Sequence, residues 1–349
     1  MAITYFCNQI TQKMENSIVR SDGPAALLRT LLRGAGQVMF QNNAWTGLLF
    51  LAGIGWGSRQ SGMLVVFWGA LAGLIVSTAT GRLLRFPDRD GLQGLWGFNG
   101  VLVGCALPTF IGNTGWMWLA LVLCAALTTW ARAGLNKMMA PWRINSLTFP
   151  FVLCTWFFLL AARALHGLPP THMADPALPE AAATVVGSAL HPADLLVWWL
   201  KGIAQVFLID SWVTGLLFLA GLAIGNWRAA LWAAVGSALA LCLALLFGAP
   251  RADIAEGLYG FSPVLTAIAL ATVFYRPGWS SALWALLGIA VTLFVQAGMN
   301  VLLEPLGLAT LTGPFCVTTW LFLLPLIVFD EQQQPDHSNW DAENKQHLG

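Results

Sequence analysis

The chain has 349 residues, 57% of them hydrophobic and 9% charged, with a net charge of +1 at pH 7. A soluble domain is about one-quarter charged, so this chain cannot clothe itself in polar surface, and its main solvent must be a lipid bilayer. The near-zero net charge argues against a nucleic-acid partner.

Residues 1–33 read as a cytoplasmic arm with some amphipathic helix, its cations being Lys13, Arg20, Arg29 and Arg33. No cleavable leader pattern is evident, so the first span is expected to act as its own signal. From Gly34 to Trp56 the chain is apolar but broken by Gln41-Asn42-Asn43. That pattern predicts a short half-helix near Gln37–Phe40, a polar turn, and a span from about Trp45. Further spans are predicted at about 62–80, 94–110, 114–131 and 144–162. A polar stretch from Arg163 to Asp194, with Pro169-Pro170, Pro176, Pro179 and Pro192, predicts an extramembrane linker. The predicted units are an arm (1–33), a first membrane repeat (34–162), a periplasmic linker (163–197), a second repeat (198–329) and a cytoplasmic tail (330–349).

The second repeat copies the first. Gln37-Val-Met-Phe40 recurs as Gln205-Val-Phe-Leu208, and Thr46 to Gly53 recurs without mismatch as Thr214 to Gly221. Gly94-Leu-Trp-Gly-Phe98 recurs as Gly257-Leu-Tyr-Gly-Phe261, and Ala133-Gly-Leu-Asn136 as Ala297-Gly-Met-Asn300. Ser146 to Leu160 recurs as Thr310 to Leu324. Blocks that recur in order at near-constant offset imply duplication of the whole fold. If each half crosses the membrane five times from inside, the second half lies inverted. Only Arg59, Arg163, Lys201 and Arg251, of 17 Lys and Arg, then fall outside. That bias favours this orientation, with both termini cytoplasmic.

No catalytic constellation is found, so no enzyme activity is expected, and no cofactor. The histidines (His166, His172, His191, His337 and His347) lie in the linker and tail without metal-ligand spacing. Cys105, Cys124, Cys154, Cys242 and Cys316 lie in apolar runs and read as small buried hydrophobes. Gly34-Ala-Gly36 lacks the Lys-Ser/Thr of a phosphate loop. No ionisable residue occupies the matched apolar positions, which points to an uncharged solute moving down its gradient.

The matched positions offer other groups. Gln37 and Gln205 can donate and accept; Thr148 and Thr312 carry hydroxyls. Pro150 and Pro314 are expected to free the carbonyls of Ser146 and Thr310, one turn earlier. Phe40, Phe98 and Phe261 would be flat walls, with Leu102 and Leu265 beside them. Acceptors and aromatic walls together suit a small, planar, neutral donor molecule.

At these residues the chain resembles the urea transporter family. The resemblance rests on Leu147-Thr-Phe-Pro-Phe151 and Leu311-Thr-Gly-Pro-Phe315, on the runs at 97–102 and 260–266, and on the Gln-Val start of each half. It implies an all-α membrane fold of two inverted halves, each with five spans and a re-entrant half-helix. It further implies a homotrimer with a pore in each protomer, and facilitated diffusion of urea without ion coupling. Thr148 and Thr312 would form the constriction, and Gln37 and Gln205 the two wider sites. Phe40, Phe98 and Phe261 would form slots, with Leu102 and Leu265 beside them. The chain departs from the family at Gln205, where some relatives carry an acid, at Leu208 opposite Phe40, and at Ser262-Pro263 opposite Asn99-Gly100. The leading expectation is a urea channel of a bacterial inner membrane feeding a cytoplasmic urease. The alternatives are an ion-coupled carrier for a small amide or ammonium-like solute, and a membrane sensor signalling through its tail.

Overall fold

The computed structural model describes residues 23–179 and 190–325. Most of the expected arm, part of the linker, and the whole tail from Asp330 with His337 and His347 lie outside the described residues. Among the described residues, fourteen α-helices form two sets of seven. The first set is α1 (Pro24–Gln37), α2 (Ala44–Gln60), α3 (Leu64–Leu83), α4 (Asp88–Leu92), α5 (Phe98–Phe110), α6 (Gly115–Met139) and α7 (Phe149–Ala164). The second is α8 (Pro192–Ala204), α9 (Trp212–Gly225), α10 (Trp227–Leu246), α11 (Arg251–Ala255), α12 (Phe261–Ile268), α13 (Trp279–Leu303) and α14 (Gly313–Leu323). The duplication read in the sequence is thus a duplication of elements, one for one. Backbone conformation repeats as well. Phe40 and Leu208 both adopt the left-handed region (φ 60° and 58°), as do Leu147 and Leu311 (φ 50° each).

Four helices are individually long and apolar enough to cross a membrane: α3 and α10, and α6 and α13 with their short 3-10 extensions. A fifth candidate is the bent pair of α8, with its 3-10 turn, and α9, which meet at 72°. Five full-length spans per half are therefore not present by length alone. The remaining helices are shorter because several begin or end inside the protein, at buried points such as Thr148 and Phe98. Large apolar side chains stay exposed along the outer helices, among them Trp56, Trp68, Trp130 and Leu231. A lipid solvent makes such exposure favourable.

Two boundaries differ from expectation. Helix α1 starts at Pro24, where some amphipathic helix was expected, and carries Arg29 and Arg33, but it runs past the expected boundary at residue 33 to Gln37. Arg33 earns its place there by donating from Nη1 to the Leu92 carbonyl at 2.8 Å. Gln37 is the last residue of that helix and Val38–Phe40 are the turn after it, rather than a half-helix of their own. Cys242 is exposed, whereas the other four described cysteines are buried as expected.

The halves meet through reciprocal contacts. The Thr46 hydroxyl donates to the Gly221 carbonyl at 2.7 Å, and the matched Thr214 hydroxyl to the Gly53 carbonyl at 2.7 Å. Trp156 Nε1 donates to the Ala309 carbonyl and Trp320 Nε1 to the Asn145 carbonyl, both at 2.9 Å. This is the pattern of a self-complementary two-fold contact, with each partner's donor serving the other's acceptor. Some residues touch their own counterparts in the other half. Phe50 and Phe218 do so, with ring centroids 4.9 Å apart. So do Thr148 and Thr312, whose hydroxyls hydrogen-bond at 2.7 Å.

Within the first half, α3 and α5 touch along their backbones. A Cβ at Gly73 would run into the Gly100 carbonyl, and one at Gly104 into that of Gly69. Small residues at a four-residue spacing allow this approach where lipid provides no hydrophobic drive between helices.

Candidate functional site

A cavity of about 350 Å³ is lined mainly by the first half, with Val273 and Phe274 from the second, and Thr148 is part of its wall. Its wall carries Gln37 and Phe40 from the α1 turn, Phe98 from the start of α5, and Ser146 and Thr148 from the segment before α7. Of the sequence-derived candidates, these five line it. Leu102 is fully buried in the core, as is Leu265, and neither lines the cavity. Gln205, Leu208, Phe261, Thr310 and Thr312 lie in the second half and do not line this cavity either. Thr312 is joined to it through Thr148 alone.

Local sequence explains each placement. Gln37 caps the end of α1, and its Nε2 donates to the Gln93 carbonyl at 2.9 Å, which leaves Oε1 as an acceptor. Gln205 repeats the bond with the Glu256 carbonyl at 2.9 Å. The left-handed turn at Phe40 places its ring edge-on to Phe274 and Phe315, at 6.1 and 6.0 Å between centroids. Both partners belong to the second half, so this wall is built across the two-fold contact.

Prolines 150 and 314 are the second residues of α7 and α14 and start these helices rather than interrupt them. Proline fits there because the N–H it lacks would have no helical partner. The expectation that Ser146 and Thr310 hold freed carbonyls is therefore corrected. Their carbonyls accept from the Phe149 and Gly313 N–H groups at 2.9 and 3.0 Å. Each keeps only its second lone pair for another donor.

Thr148 and Thr312 are both almost fully buried. Besides its bond to Thr312, the Thr148 hydroxyl lies 3.3 Å from Cys316 Sγ. These threonines also stand at the first turns of α7 and α14. Two helix N-termini thus converge on one point, and each contributes partial positive charge there.

The structure adds polar residues that the sequence reading left without a role. Arg132 and Asp90 line the cavity and form an ion pair at 2.9 Å, their side chains 11% and 14% exposed. The Arg132 guanidinium lies over the Phe98 ring, 5.9 Å from its centroid. The matched positions themselves hold no ionisable residue, but this pair stands beside them on the cavity wall. Hydropathy ends the span near residue 131, but α6 continues to Met139, which carries Arg132 inward as part of the helix. Asn136 also lines the cavity, and its Oδ1 accepts from the Ser146 N–H and hydroxyl at 2.8 and 2.7 Å. It lies in a repeated block, and that repetition was the available signal.

The family described as Urea transporter matches residues 28–327. Urea transporter 1 of Ovis aries is 30% identical over 312 residues, 87% of this chain and 78% of the relative. Urea transporter 1 of Rattus norvegicus is 30% identical over 301 residues, 84% and 76% of the two chains. The match runs from within α1 past the end of α14 and so takes in both halves of the two-fold arrangement together with the cavity and the threonine pair: the chain belongs to the urea transporter family.

Proposed function

We propose that the chain transports urea passively, through a pore in each protomer that runs from the Gln37 cavity past Thr148 and Thr312 to the matched second-half set of Gln205, Leu208, Phe261 and Leu265. One observation carries this reading: the two hydroxyls bond to each other at 2.7 Å, and one of them, Thr148, stands in the wall of a cavity also lined by an amide and phenylalanine rings. Hydroxyls paired in this way can exchange partners. A urea molecule entering between them offers N–H donors and a carbonyl acceptor, so the polar groups stay satisfied throughout. The converging N-termini of α7 and α14 oppose a cation at that point, which favours urea over ammonium. The ring of Phe40, held by Phe274 and Phe315, suits a planar solute.

The two halves are inverted about an axis in the membrane plane, in a bacterial inner membrane with both termini cytoplasmic. Contacts between matched regions support this sidedness. Ser211 Oγ donates to Gln60 Oε1 at 2.9 Å, and Arg163 Nη2 to the Gly307 carbonyl at 3.0 Å, as expected if all four lie on the outer face. The protomers form a homotrimer. Each is complete by itself, because the cavity and both threonines come from one chain.

Purified protein in liposomes tests the function. Urea should cross in either direction with no energy source and should be favoured over methylammonium. A urea flux that needs a proton or sodium gradient would overturn the passive reading.

A further inference from the structure

The guanidinium of Arg132 has donors to spare. Its Nη1 is committed to Asp90, and this is its one hydrogen-bonded partner among the described residues. None of its nitrogens is among the buried polar atoms without a partner, and the residue forms part of the cavity wall. A guanidinium is a rigid fork of N–H donors, so the remaining donors face the cavity beside the Phe98 ring. On the same wall Gln37 presents the complementary group, an amide oxygen whose own nitrogen is engaged with Gln93. We propose that Arg132, fixed by Asp90, is a substrate-binding residue of the first vestibule that donates to the carbonyl oxygen of urea while Gln37 Oε1 accepts from its N–H. The second half places Gln296 at the matched position, so this binding mode belongs to one mouth of the pore.

This inference rests on urea being the solute, and its test is comparative. Proteoliposomes carrying wild-type protein, R132K, and the double variant R132M/D90N are assayed for concentration-dependent uptake of urea and of thiourea. The double variant removes both charges together, so no buried carboxylate is left unpaired. Sulfur is a weak acceptor, so thiourea gains little from a guanidinium. The double variant should weaken apparent urea affinity about tenfold, or about 1.4 kcal/mol, and thiourea affinity much less. R132K, which keeps the charge without the planar fork, should fall between. Equal losses for both solutes, or unchanged urea affinity, would overturn the inference. If the double variant does not fold, the urea-to-thiourea ratio of R132K against wild type decides alone. Absence of any urea uptake by wild-type protein would instead sink the transport reading itself.

Discussion

The two halves share a backbone and differ in how they treat one matched pair of positions. In the first half Arg132 meets Asp90 in an ion pair on the cavity wall. In the second, Gln296 and Asp253 stand at those positions. Gln296 turns away from the acid and donates from Nε2 to the Thr310 hydroxyl at 2.9 Å, while its Oε1 is buried with no partner among the described residues. Thr310 in turn replaces Ser146, whose hydroxyl is held by Asn136. Duplication therefore kept the helices and turns but rewired the polar groups around each mouth. A backbone can be symmetric while the chemistry of its two ends is not, and each matched pair of substitutions measures one side against the other.

The largest effect is expected at the threonine pair. T148V and T312V each remove one member of the hydroxyl pair, and each should reduce urea flux in liposomes by roughly tenfold or more, since an unsatisfied buried hydroxyl costs about 1–3 kcal/mol. The two should not be equal. T148V leaves the Thr312 hydroxyl without its partner, whereas in T312V the Thr148 hydroxyl retains Cys316 Sγ at 3.3 Å. T148V should be the more damaging. Equal and wild-type flux in both would place the constriction elsewhere.

A smaller effect separates position 132 from position 296. R132M strands the Asp90 carboxylate in a site where it is 14% exposed. Loss of one partner from a largely buried pair costs about 3 kcal/mol, so the melting midpoint in detergent should fall clearly. Q296M takes the amide from the Thr310 hydroxyl but also removes a buried oxygen that has no partner among the described residues, so its cost should be about 1 kcal/mol. A midpoint that falls further for Q296M than for R132M would mean that the second-half amide, not the ion pair, anchors its vestibule.

Much of this comparison was legible in the sequence, and its limits have physical causes. The all-helical apolar character and the paired elements follow from hydropathy and repeated blocks, because both report what the backbone must do; the number of full-length spans does not, because several helices stop inside the protein. An amphipathic helix in this region was legible, but not its continuation to Gln37, because the Leu92 carbonyl that holds Arg33 lies far along the chain. Arg132 was hidden for a related reason: hydropathy ends a span at its first charge, but a helix ends only where its hydrogen bonds do. Leu102 and Leu265 read as side walls from their matching positions in the two halves; Leu102 is buried away from the first-half cavity, and a matched position cannot say which face of α5 meets that cavity. The roles of Pro150 and Pro314 were inverted because a proline that starts a helix and one that breaks it look alike in an apolar run.

The finest test of the comparison is a loop that closes the same way with different residues. Arg143 and Gly307 occupy matched left-handed positions, with φ 54° and 57°. A side chain in that region costs about 1 kcal/mol, so the first half carries a strain that the second avoids. Arg143 is exposed, so R143G should release that strain and, after the added freedom of the unfolded chain, raise stability by about 0.5 kcal/mol. The reverse exchange is not its mirror image. A Cβ at Gly307 would run into the Ala174 carbonyl and the Arg163 guanidinium. That guanidinium donates to the Ala174 carbonyl at 2.6 Å and to the Gly307 carbonyl at 3.0 Å, and so ties the linker to the second half. G307A should therefore cost the strain and the tie together, about 2 kcal/mol or more. If G307A instead cost no more than R143G gains, the linker strap would contribute nothing to holding the second half.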